Sequence, residues 1–231
     1  MFELNRLYNL DCMYGMKEIP DKYFELAIVD PPYFKGPNKR QYYGRQINKL
    51  NIKRKEYSEI QRWDVPKEQY FNELLRVSKN QIIWGINYYD VYLGSGRIIW
   101  DKVNGNSSYS DCEIAYCSTH DSTRLFRYMW NGMNQGKSIS EGHIMQGDKS
   151  KNEKRIHATQ KPVNLYKWIL MNYANPGDKI LDTHVGSASS LVACHEMRFD
   201  FLGFELDKNM HELASKRLSN SMNQMNMFNA M

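Results

Sequence analysis

Glu25-Leu26-Ala27-Ile28-Val29-Asp30-Pro31-Pro32-Tyr33 is a short apolar run that ends on a carboxylate and a proline pair. The run suits a strand, and it stops where it does because proline has no N–H to give a central ladder. Asp30 and the residues after it therefore stand at a strand's carboxyl end. Working outward, a helical period starts at Pro66, with Tyr70, Phe71, Leu74, Leu75 and Val77 on one face, and a strand over Gln81–Ile86 follows. Further strands are expected at Arg97–Asp101, Cys112–Ser118, Asp178–Asp182 and Asp200–Glu205. Helices are expected from Pro162, over Leu191–Glu196 and over Lys208–Leu218. Strands alternating with helices predict an α/β fold, a mostly parallel sheet with helices on both faces. Residues 119–156 show no period and read as loops or an inserted lobe, and residues 221–231 as a disordered tail.

A chain of 231 residues fits one domain, here residues 1–220, with a sizeable core. Its apolar runs fall far short of the ~20 residues that span a bilayer, and no basic-then-apolar leader opens it, so the expected compartment is the cytoplasm and no membrane is involved. Cys12, Cys112, Cys117 and Cys194 match no zinc spacing, and neither metal nor disulfide is expected. The net charge of +5 is unevenly spread: nine cations against two acids lie between Phe34 and Arg62, among them Lys39, Arg40, Arg45, Lys53, Arg54 and Lys55. Tyrosines are interleaved with them, and a charge run placed beside the Asp30 corner suits contact with a phosphate backbone better than a merely solvated face.

Ligands of open α/β sheets bind beyond the carboxyl ends of strands. Three such places carry chemistry. After Asp182 comes the small-residue turn Gly186-Ser187-Ala188-Ser189, whose backbone N–H groups a ligand can approach at a helix start. One strand on, Glu205 can accept both hydroxyls of a ribose. The two together point to a nucleoside-containing cofactor, while the G-x-G-x-x-G fingerprint and the full eight-residue G-x-x-x-x-G-K-S/T phosphate loop are both missing. The third place is Asp30-Pro31-Pro32-Tyr33. An aromatic amine is a weak nucleophile because its lone pair is delocalised. A carboxylate and a backbone carbonyl that accept its hydrogens draw the nitrogen towards tetrahedral geometry and offset its developing charge. Asp30 and the Pro31 carbonyl suit that task, Pro32 stiffens the corner, and Tyr33 offers a face for an extruded base.

With these elements goes the order Leu10-Asp11-Cys12, Asp30-Pro31-Pro32-Tyr33, Ile99-Trp100-Asp101-Lys102, His157-Ala158-Thr159-Gln160-Lys161-Pro162 and Phe204-Glu205-Leu206-Asp207. In this order the chain resembles the beta class of DNA amino-methyltransferases. The resemblance implies a Rossmann-like methyltransferase fold with circularly permuted motifs and S-adenosylmethionine as cofactor. It implies that Asp11 and the Cys12 backbone hold the cofactor's adenine, that Glu205 holds its ribose, and that Lys161 pairs with its carboxylate. The family's Asp-x-Phe-x-Gly-x-Gly turn reads Asp182-Thr183-His184-Val185-Gly186-Ser187-Ala188 here, so His184 replaces an aromatic and Ala188 a glycine. Ala188 is accommodated if its backbone avoids positive φ. The implied substrate is double-stranded DNA, with residues 119–156 as the target-recognition region. A homodimer and a cognate restriction endonuclease are the further partners such relatives have.

The aspartate form of the motif implies adenine, and cytosine-N4 is the alternative. Cytosine carbon-5 chemistry is disfavoured because no cysteine follows a proline. A DNA-binding module with a degenerate cofactor site is the alternative from another class.

Overall fold

The computed structural model describes residues 2–33, 64–105 and 110–229. The basic segment with Lys39, Arg40, Arg45, Lys53, Arg54 and Lys55 lies outside the described residues.

The first half of the chain forms β1 (Arg6–Asn9), α1 (Cys12–Lys17), β2 (Phe24–Val29), α2 (Glu68–Val77) and β3 (Ser78–Trp84). Next come β4 (Arg97–Asp101), β5 (Cys112–Cys117), β6 (Thr123–Arg127) and a small hairpin, β7 (Trp130–Asn131) with β8 (Asn134–Gln135). The chain closes with α3 (Val163–Tyr173), β9 (Lys179–Asp182), α4 (Ser189–Glu196), β10 (Asp200–Glu205) and α5 (Lys208–Asn229). Eight strands make one sheet in the order β1-β10-β9-β2-β3-β5-β4-β6. Both partners of β5 run antiparallel to it and the other pairings are parallel.

Successive strand residues point to opposite faces, and the two cores follow that alternation. Leu26, Ile28, Ile82, Trp84, Ile180 and Phe201 meet Leu165 and Ile169 of α3, Leu191 of α4 and Leu218 of α5. Ala27, Val29, Ile83, Leu181, Leu202 and Phe204 meet Met16 of α1 and Phe71 and Leu74 of α2. Helices thus cover both faces, which is why β2 after Glu25 and the second half of β3, Ile82–Trp84, are continuously apolar rather than alternating.

β9 and β10 come late in the chain yet lie between β1 and β2. The crossover through α2 leads from β2 away in one direction and that through α4 leads from β9 in the other. The sheet therefore has its switch point between β2 and β9, where loops diverge and leave a crevice. The corner at Asp30 and the turn at Gly186 follow these two strands.

Two expectations need correction. Residues 119–156 are not all loop or insertion, because β6 pairs with β4 inside the main sheet. Only Phe126 of that edge strand is buried, so its sequence has no alternation to read. The last helix does not end at Leu218 but runs to Asn229, through Met and Gln residues that favour helix and without Gly or Pro to stop it. Among the described residues no helix is long and apolar enough to cross a membrane.

Candidate active site

The switch point opens into a cleft of about 2180 Å³ that takes in Asp11, Asp30–Tyr33, Tyr70, the turn from Thr183 to Ser187, and Glu205. A single small-molecule pocket has roughly 300–1,000 Å³, so this cleft has room for a cofactor and an extruded base together.

On the β9 side, Asp182 braces the turn from beneath. Its Oδ1 accepts the His184 N–H at 2.9 Å and its Oδ2 the Ser190 hydroxyl. Asp182 is buried, and burial raises its carboxyl to about 7. Asp182, Ala188 and Ser189 do not line the cleft, whereas Gly186 and Ser187 do. They shape the turn rather than touch a ligand. Ala188 stands at φ 61, ψ 24, so the condition set by its replacement of glycine is not met and the left-handed backbone is kept with a Cβ on it. A Cβ at Gly186, by contrast, meets nothing within 4 Å, because this residue borders the open cleft.

Glu205 closes the far wall. One of its oxygens accepts the Gly186 N–H at 2.8 Å and the other the Asp207 N–H at 2.9 Å. Asp11 caps α1 by accepting the Met13 N–H at 2.8 Å, and it lines the cleft together with Cys12. Burial, with Asp11 next, pushes the Cys12 thiol up to about 12, so this sulfur is no nucleophile. His184 packs edge-on against Tyr70, with ring centroids 5.3 Å apart, and shares a hydrogen bond with the Thr183 hydroxyl at 3.0 Å. Burial lowers its pKa to about 4, so the imidazole is neutral near pH 7. Two acids, small-residue backbone and an uncharged ring fit a nucleoside bearing a sulfonium.

On the β2 side, the Asp30 carboxylate accepts the Tyr33 hydroxyl on one oxygen and the Lys161 ammonium on the other. The Tyr89 hydroxyl donates to the Pro31 carbonyl at 2.7 Å and fixes its direction. Tyr33 is not an open stacking platform. Its ring lies on Tyr88 with centroids 5.0 Å apart and planes 13° apart, and a Cβ at Gly85 would meet it at 2.0 Å. Gly85, at φ +72, thus provides both the turn after β3 and the space for the ring. Tyr88 is 50% exposed and covers the ring from outside.

Lys161 also departs from expectation. Its side chain is 4% exposed and is committed to Asp30 and to Glu113 Oε2 at 2.9 Å rather than to the Gly186 turn. A buried ammonium needs such partners, and these two carboxylates supply them. The rest of the His157–Pro162 element is tied together by its own hydrogen bonds, and His157, Ala158, Thr159 and Gln160 line the same cleft. The His157 ring holds the Thr159 N–H and hydroxyl, Gln160 ties Ile156 to Glu153, and Pro162 precedes α3.

Glu113 of β5, Gly85, Tyr88 and Tyr89 are not read from the sequence, and Lys102 after β4 appears there only within the Ile99-Trp100-Asp101-Lys102 match, with no role assigned. Only the Trp84-Gly85 pair at a strand's end carried a signal, since a glycine there marks a turn or a close approach.

An open α/β sheet with a carboxylate corner and a small-residue turn facing each other across its switch point is the frame of a nucleoside-cofactor methyltransferase. The pattern of the DNA methylase family matches residues 24–216, and the chain belongs to that family. Its reaction is methyl transfer from S-adenosylmethionine to DNA. The type II methyltransferase M.HinfI of Haemophilus influenzae is 22% identical over 247 residues, covering 93% of this chain and 68% of that protein. The crystal structure of M1.HpyAVI with SAM aligns at a TM-score of 0.54 and 19% identity, covering 92% of this chain and 99% of the other. The cytosine-N4-specific PvuII DNA methyltransferase aligns at 0.54 and 12% identity, covering 94% and 91%. Both likenesses bear on the fold, which is the permuted, mostly parallel sheet expected.

Proposed function

We propose that this methylase acts on the exocyclic amino group of adenine at a specific site in duplex DNA. The observation that carries the reading is the placement of Asp30, a carboxylate at the end of β2 on the cleft it shares with the Gly186 turn. The adenine target is supported by the aspartate itself, which the resembled family pairs with adenine. A cytosine-N4 enzyme shares the fold, so the choice rests on this corner and not on the sheet.

A base must leave the duplex to reach such a corner, at a cost of a few kcal/mol. Its amino group then donates to Asp30 and to the Pro31 carbonyl, which has a second lone pair beside the one Tyr89 uses. Charge builds on the nitrogen as it attacks, and the Asp30 carboxylate is aimed at it. Asp30 is also where the amine's surplus proton can go. To stack on Tyr33 the base displaces Tyr88. Bound S-adenosylmethionine supplies an electrophilic methyl group, and Asp11, Cys12, Gly186, Ser187 and Glu205 are the residues that would hold it. Neutral His184 adds no positive charge to that site.

The basic segment between Phe34 and Arg62 remains the proposed phosphate contact, on charge alone. The type II naming of M.HinfI supports a cognate endonuclease as a partner. Asp30→Ala should reduce methyl transfer from tritiated cofactor to background while leaving calorimetric S-adenosylmethionine binding within a few-fold. Digestion of methylated DNA to nucleosides should give N6-methyladenosine. An active Asp30→Ala enzyme, or N4-methylcytosine as product, overturns the reading.

A further inference from the structure

Asp30, Tyr33, Lys161, Glu113 and Lys102 form one connected chain of ionisable groups. Lys161 lies between two carboxylates, and its Nζ also donates to the Tyr33 hydroxyl at 3.0 Å. Glu113 accepts Lys161 on one oxygen and Lys102 on the other at 2.5 Å. Trp84 and Tyr33 flank the Lys161 ammonium at 5.6 and 5.5 Å. Two carboxylates and two ammoniums leave the cluster neutral, as a buried ionic cluster must be to persist.

The Tyr33 hydroxyl occupies one Asp30 oxygen and the Lys161 ammonium the other, so Lys161 competes, as an N–H donor that is already charged, for the carboxylate a target amine needs. A second cation beside the nitrogen that becomes positive during transfer would oppose the reaction. We infer that Glu113 is a positioning residue that takes the Lys161 ammonium off Asp30 when the base enters, so that Lys161 guards the carboxylate only in the free enzyme. The exchange makes and breaks hydrogen bonds alone. Lys161 keeps its protons, already donates to Glu113, and moves its remaining contact from one carboxylate to the other. Lys102 holds the far oxygen of Glu113 so that the near one stays directed at Lys161. The inference rests on the amine-holding role proposed for Asp30.

Glu113→Gln removes the receiving charge and leaves Lys161 with Asp30 as its one carboxylate. The turnover rate near neutral pH should fall about a hundredfold, the size of effect a misplaced group at a reacting centre has. Affinity for S-adenosylmethionine should stay close to the parent's, whereas the melting temperature should fall, because the cluster is left with one cation in excess, and rates are compared well below it. The titratable groups that face Lys161 are Asp30, Tyr33 and Glu113, with His157 next and Lys102 on the far side of Glu113; Tyr166 and Asp182 lie around Asp30. Burial works against the Lys161 charge but Asp30 and Glu113 outweigh it, so losing one carboxylate lowers its pKa. The Glu113→Gln enzyme should therefore recover rate as pH rises and Lys161 gives up its proton, and the Lys161 Nζ NMR titration should move to lower pH. The double variant Glu113→Gln with Lys161→Met leaves neither of this pair behind as a lone charge and removes the competitor for Asp30. It should be at least about tenfold faster than Glu113→Gln at neutral pH, part of the loss above being restored. A Glu113→Gln rate equal to the parent's, a loss of the same size at every pH, or a double variant no faster than the single one overturns the inference. Asp30→Ala run alongside separates the two readings: if it stays active, the functional proposal fails, whereas if it is inert and Glu113→Gln is unaffected, only the role of Glu113 fails.

Discussion

At the scale of the residue, Ala188 shows how a side chain is tolerated where the backbone favours glycine. Its φ of 61 puts the Cβ close to a carbonyl oxygen, a conformation that costs an L-residue roughly 1–2 kcal/mol. The turn keeps it because the Ala188 N–H donates to the Val185 carbonyl at 3.0 Å and the Ala188 carbonyl accepts the first helical N–H of α4, from Val192, at 2.9 Å. The methyl is fully buried against the core and partly offsets the strain through packing. Glycine would relieve the strain but add conformational freedom to the unfolded chain. The strain is set against about 0.8 kcal/mol for the buried methyl and about 0.4–1 kcal/mol for the added freedom, so Ala188→Gly should raise stability by at most about 0.5 kcal/mol in urea denaturation with no change in cofactor affinity. A lower denaturation midpoint would show that the buried methyl outweighs the strain.

At the scale of the element, the Gly186 turn is held from outside by α5. Arg217 on that helix donates to the Ser187 carbonyl at 2.6 Å, to the Ser189 hydroxyl at 2.9 Å and to Glu153 at 2.6 Å. Both partners of the ion pair are mostly buried, so Arg217→Ala takes the ion-pair partner from Glu153, leaving it the Val163 N–H, the Gln160 amide and the nearby Arg155, and should cost up to about 3 kcal/mol in thermal or urea unfolding. It also frees the Ser187 carbonyl, so S-adenosylmethionine affinity should fall in calorimetric titration, while Arg217→Lys retains part of both. An Arg217→Ala protein that binds cofactor like the parent would show that the turn holds itself. None of this could be read from Arg217, an ordinary cation on a mostly polar helix. Local chemistry explains which parts were legible. β4 and β10 were located to the residue because Ile98 and Trp100, or Phe201 and Phe204, mark buried faces in the sequence. Asp30, Gly186 and Glu205 are legible because each stands at, or within a short turn of, the carboxyl end of a strand. β1 has no fully buried residue, and Glu113 and Lys102 reach the cleft only through the pairing of β4 with β5, which sets Glu113 opposite Trp100. That register belongs to the folded sheet. The partners of Lys161 are hidden for the same reason, since they come from β2 and β5.

At the scale of the whole molecule, three buried groups make stability depend on pH with opposite signs. His157 and His184 are held neutral, burial having lowered each from 6.5 to about 4. Their contribution is complete above pH 6.5 and is lost as pH falls through that interval, because the unfolded chain binds protons that the folded chain refuses. Asp182 works the other way. Burial raises it from 3.8 to about 7, so its neutral form suits the fold, and its contribution is present below pH 3.8 and lost as pH rises to 7. Between pH 4 and 6.5 the carboxyl thus partly compensates the two imidazoles. Asp182→Asn removes the compensation and keeps an oxygen to accept the His184 N–H, with an amide that can donate to Ser190. The remaining titrating groups are common to both proteins, so the difference between their stability curves isolates Asp182. Relative to the parent, the variant should gain stability steadily as pH rises from 4 to 7, by up to about 1.4 kcal/mol for each unit by which the carboxyl was shifted. Urea midpoints measured at intervals between pH 4.5 and 8 would read this directly, and two parallel curves would mean that Asp182 is ionised in the folded protein at every pH in that range.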